Sequence, residues 1–196
     1  MPRDKRSMSV VAALRGASVL EPELLNSERI ERRFGNYAID VVDSNAALRR
    51  SNLYSLSNGV RVCRTFAVVR FGKPGDELVA PEHAEIVAGR SIGAIFKTRG
   101  WEMRKKTLFT GELRLDGPDH PVAGLMYLDA PTDVAMHVYR LLLEKGNRSV
   151  DYATITEVHH PDYLDHDDLR RLYPLDADAA LDASDVERLI ALVAGR

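Results

Sequence analysis

The dipeptide Asn58-Gly59 stands between two runs, 51–56 and 60–71, the second rich in β-branched and aromatic residues, and no other feature limits the fold as much. A two-residue type I′ turn needs positive φ at both central positions, which asparagine and glycine tolerate best, and its twist matches that of the strands it joins. The pattern predicts an antiparallel hairpin. Further strands are predicted over 37–42, 107–115, 122–128, 134–143 and 152–159, the last two joined by a turn through Gly146 and Asn147.

Helical spacing of apolar residues is found near the two ends. Leu20, Leu24, Leu25, Ile30 and Phe34 recur at intervals that suit amphipathic helices, with Glu21 and Pro22 as a start signal. A final helix is expected to be capped by Ser184 and to show Val186, Leu189, Ile190 and Val193 on one face. A helical turn is expected over 82–87. Hairpins with helices mainly at the ends predict an α+β fold, a single antiparallel β-sheet with helices packed on it.

A length of 196 residues with 45% hydrophobic content suffices for one domain with a real core. Residues 1–9 read as a frayed terminus, and 162–196 as an acidic extension that ends in the final helix. Cys63 is the single cysteine, so no internal disulfide can form, and a reducing, cytoplasmic setting is expected. No run of roughly 18 apolar residues suggests a membrane span. A net charge of −2 argues against a general nucleic-acid binder. The local exception is Lys97, Arg99, Arg104, Lys105 and Lys106 around Trp101, either a solvated face or a grip for a strand.

Most enzyme signatures are missing. There is no phosphate-cradling glycine loop and no Gly-x-Gly-x-x-Gly, so no nucleotide or dinucleotide cofactor is expected. The group His159, His160, Asp162, Asp165, His166, Asp167 and Asp168 matches no metal-ligand spacing, and a solvated surface explains it more cheaply.

Four patches in order carry a resemblance. They are residues 20–25 followed by Arg32-Arg33-Phe34; the Asn58-Gly59 hairpin with Arg64 and Thr65; the glycine-bounded segment 89–96; and 154–161, which contains Glu157. Together they resemble the chorismate lyase family, which removes pyruvate from chorismate to leave 4-hydroxybenzoate. The resemblance implies a small carboxylated, chorismate-like ligand, no cofactor, Glu157 as the active-site glutamate, and Ile92 with Gly93 as the turn whose backbone meets a ligand carboxylate. It also implies an arginine before the hairpin. Arg50 is the nearest, but counting back from the turn falls on Ser51, so either the register differs or the arginine is missing. Arg90 and Arg64 are secondary candidates for an anion. A chorismate-type ligand carries two carboxylates, for which an arginine fork and backbone N–H groups are natural partners. The alternative is a non-catalytic module that binds an aromatic carboxylate on the same fold.

Overall fold

In the computed structural model, residues 20–72, 77–176 and 181–195 are described. The expected hairpin is formed by β2 (Leu48–Ser57) and β3 (Val60–Phe71), with Asn58 at φ 51° and Gly59 at φ 79°. A register shift beside Arg64 leaves Leu53 opposite Thr65 and Tyr54 opposite Cys63, so the strand bends there. Strand β1 (Ala38–Ser44) pairs with β2 as an edge. Strands β4 (Glu102–Leu115), β5 (Thr132–Lys145) and β6 (Arg148–His159) complete one six-stranded, fully antiparallel sheet in the order β1-β2-β3-β6-β5-β4.

Helix α1 (Asn26–Phe34) precedes the sheet, and α2 (Ala80–Val87) and α3 (Ile92–Thr98) link β3 to β4. Helix α4 (Pro121–Met126) lies between β4 and β5, and α5 (His166–Leu172) and α6 (Ala183–Val193) follow β6. Alternate residues along the strands divide the core. Cys63, Phe66, Val68, Met136 and Val138 meet α4 and α6 on one face. On the other, Val69, Tyr139 and Ile155 meet α2 and α3, while Leu53, Ala67 and Ala135 meet α1 and α5. The two clusters on this second face leave a gap between α1 and α3, and the gap is the pocket described below. None of the helices among the described residues is long and apolar enough to cross a membrane.

Three expectations need correction. The segment 122–128 is helical rather than extended: Pro121 takes the first helical turn, and His120 Nδ1 accepts the Val122 N–H at 3.2 Å. Over so short an apolar run, periodicity does not separate strand from helix. Glu21 and Pro22 form a turn rather than a helix start, and α1 begins at Asn26. The last helix is capped by Asp182, whose Oδ1 accepts from the Asp185 N–H and the Ser184 hydroxyl. The carboxylate outcompetes the hydroxyl for the free helix amides.

Candidate functional site

The pocket has a volume of about 620 Å³ and opens between α1 and α3 over the sheet. Its walls are apolar, with Leu25, Leu53, Val69, Ile92, Leu141 and Ile155 among them. Among the polar groups that line it are Arg49, Glu157 and Lys105.

Arg49 projects from β2 on the pocket side and is 1% exposed. Its Nε donates to Ser51 Oγ at 2.8 Å, and Nη1 donates to the carbonyl oxygens of Ile86 and Arg90 at 2.8 and 2.7 Å. Those bonds aim the guanidinium and leave Nη2 buried without a partner among the described residues. Among the described residues no carboxylate pairs with it. Burial lowers the pKa of this group from its ordinary value, with Tyr37 and Tyr152 opposing, yet a guanidinium keeps its charge in proteins. A buried cation with no counter-ion costs free energy that an anionic ligand would offset.

Glu157 lies on β6, between Ala67 of β3 and His137 of β5 in register, and is 5% exposed. Its Oε1 accepts from Asn26 Nδ2 at 3.3 Å. Its Oε2 is 4.0 Å from Lys105 Nζ and 4.0 Å from His159 Nε2. Lys105 is held over the rings of Tyr139 and Tyr173, 4.4 and 4.7 Å from their centroids. Burial works against its charge, but Tyr139, Tyr173 and Glu157 outweigh it, and the Lys105 pKa moves up. Tyr173 comes from the segment after α5, so the acidic extension supplies part of the pocket wall.

The rim is built by a fully buried arginine. Arg29 donates to Tyr173 Oη at 2.9 Å and to the carbonyl oxygens of Glu21 and Leu24 at 2.9 and 3.1 Å, which fixes the turn before α1. Across the mouth, Lys97 of α3 pairs with Glu28 of α1 at 2.5 Å, and Leu25 rests on Gly93, where a Cβ would lie 2.9 Å from Leu25 Cδ2.

Of the residues singled out from sequence, Glu157, Ile92 and Gly93 line this pocket. Arg50 does not: it leaves β2 on the opposite face, where Nε donates to Leu192 O at 3.1 Å and Nη1 pairs with Asp43 at 2.7 Å. Arg64 donates to Ser55 Oγ and lies 3.9 Å over the Phe34 ring. Arg90 is exposed and contributes its carbonyl to Arg49 rather than its side chain. Arg49, Lys105, Asn26 and Tyr173 were not singled out as site residues. The signal for Arg49 lay in strand periodicity, because it shares a face with Ser51, two residues on. The basic run around Trp101 does not form a continuous solvated face. Trp101 is buried and donates to Glu82 Oε1 at 3.1 Å, and Lys105 turns into the pocket.

No protein-family model matches the chain, and no curated protein matches its sequence. Among solved structures, it is similar to the C-terminal domain of the histidine utilization repressor from Pseudomonas syringae pv. tomato. The TM-score is 0.38 at 10% identity, over 66% of this chain and 94% of that one. A likeness of this size carries no weight for function.

Proposed function

We propose that the pocket binds a small ring-bearing carboxylate, with the carboxylate on Arg49 and the ring between the apolar walls. The observation that carries this is the Nη2 of Arg49, buried without a partner among the described residues, beside the apolar walls of the cavity. A few convergent polar groups in such a cavity are what fix a ligand's orientation. Ile92 and Gly93 form the rim from which backbone contacts with the ligand would come.

The chemistry around Glu157 favours an enzymatic use of the same pose, and chorismate is the substrate that the sequence resemblance suggests. Glu157 is surrounded by donors, the Asn26 amide and the Lys105 ammonium, so it acts as an acceptor for a ring hydroxyl. Lys105 is the cationic group beside Glu157, and it steadies negative charge on the departing oxygen. In the elimination the ether C–O bond breaks with its electron pair leaving on oxygen, the neighbouring ring carbon gives up one proton as the ring becomes aromatic, and the released enolate takes up one proton at carbon to become pyruvate. Positioning and charge stabilisation supply most of what such a reaction needs.

Incubating the purified chain with chorismate and following pyruvate and 4-hydroxybenzoate by chromatography tests the reading. Equal amounts of both products, absent in Glu157→Ala, are expected of a lyase. Binding of 4-hydroxybenzoate with no turnover would leave a ligand-binding module, and neither binding nor turnover would refute the pocket assignment.

A further inference from the structure

Behind Glu157, away from the apolar walls, four buried polar side chains from three parts of the chain close on one another. Tyr163 donates to Asn26 Oδ1 at 2.6 Å. That bond orients the amide, so Asn26 Nδ2 faces Thr65 Oγ1 at 3.1 Å and Glu157 Oε1 at 3.3 Å. The reverse orientation would set the amide oxygen against the carboxylate. Thr65 is fully buried and already accepts the Asn26 N–H. Its Oγ1 lies 3.0 Å from His159 Nδ1, and the arrangement that uses the threonine's own hydrogen makes that nitrogen the acceptor.

The consequence falls on the far side of the imidazole. Burial, reinforced by Lys105 and Arg29 and opposed by Glu157, pushes the His159 pKa down to about 4, so the ring is neutral near neutral pH. A neutral ring that accepts at Nδ1 carries its proton on Nε2. That nitrogen is buried, has no hydrogen-bond partner among the described residues, and is 4.0 Å from Glu157 Oε2.

We propose that Asn26, Thr65 and His159 form a chain of hydrogen bonds, closed into a ring through Glu157, that locks His159 as its Nε2–H tautomer and aims that N–H at Glu157, making His159 the positioning residue for the carboxylate. The ring would hold Glu157 as an acceptor from two sides, Asn26 on Oε1 and His159 on Oε2, so that its remaining lone pairs point at the ligand. The positioning role rests on the reading of Glu157 as a group facing the ligand; the tautomer does not.

The tautomer is read directly by long-range proton–nitrogen NMR of the imidazoles in the full, ligand-free chain near neutral pH. The expected result is a protonated Nε2 and a bare Nδ1 for His159, with that preference lost in Thr65→Val. A protonated Nδ1, or a preference that survives Thr65→Val, would overturn the ring. Positioning is read by comparing 4-hydroxybenzoate with benzoate, which lacks the hydroxyl that Glu157 would meet. His159→Phe should weaken 4-hydroxybenzoate about tenfold, the size of one hydrogen bond to a charged group, and leave benzoate unchanged. His159→Gln, which restores an N–H near the Nε2 position, should recover part of the difference. Equal losses for both ligands would overturn positioning and mark His159 as structural. Failure of the unaltered chain to bind either ligand would overturn the pocket reading and the positioning role together, with the NMR result still deciding the ring.

Discussion

Arg49 and Arg50 are consecutive on β2, and their side chains leave the sheet on opposite faces. Arg49 reaches the carbonyls of Ile86 and Arg90 beneath the pocket, and Arg50 reaches Leu192 near the end of α6. Two identical residues one position apart are thus given unrelated work by the period of the strand.

It follows that Arg50→Ala acts on stability alone. It removes the bond to the Leu192 carbonyl and a half-exposed pair with Asp43, and the expected loss is about 1 kcal/mol in urea unfolding. Affinity for an aromatic carboxylate should not change, and a parallel titration of the variant checks this.

Leu25 and Gly93 set how closely α1 approaches α3. Alanine at 93 would put its Cβ 2.9 Å from Leu25 Cδ2 and 3.2 Å from Cδ1. Leu25 can yield because these are the ends of a flexible side chain, so Gly93→Ala should cost only about 1 kcal/mol. In a Leu25→Ala background the same change should cost nothing, giving a coupling of about 1 kcal/mol in a double-mutant cycle of urea unfolding. Additive effects would mean that the two residues do not meet.

Stability should fall in mild acid. His159 titrates near 4 in the folded chain, against an ordinary value of 6.5, and burial likewise drives His137 well below that value. A depressed histidine pKa means that the unfolded chain takes up protons below about pH 6.5 while the folded chain does not until about pH 4. The contribution is therefore fully present above about pH 6.5 and is lost as pH drops toward 4, by up to about 1.4 kcal/mol per pH unit for each histidine. Urea unfolding across this window should show the slope, and His159→Gln should make it shallower. An unchanged slope in that variant would count against a neutral His159.

Much of the fold was legible because its signals are local. Asn58-Gly59 places the hairpin, and the alternating runs at 134–143 and 152–159 lie within β5 and β6. What local pattern could not supply was orientation. Around Arg49, Arg50, Ser51 and Asn52 both faces of β2 carry polar residues, so no apolar alternation marks the side that meets the pocket. Lys105 was hidden for a related reason. It sits in a basic run that looks solvated, and only the packing of Tyr139 and Tyr173 around its ammonium turns it inward. Glu157, by contrast, was reached through the resemblance and not through its neighbours, since Asn26 is 131 residues away in the chain.

The most direct measurement is a calorimetric titration of 4-hydroxybenzoate into the unaltered chain and into Arg49→Met, which keeps the volume of the side chain but not its charge, with circular dichroism to verify the fold. The expected result is saturable binding to the former and a loss of about 30-fold or more in the variant, the cost of removing one partner of a buried charge pair. Equal affinity in the two folded proteins would contradict the assignment of Arg49 as the carboxylate anchor.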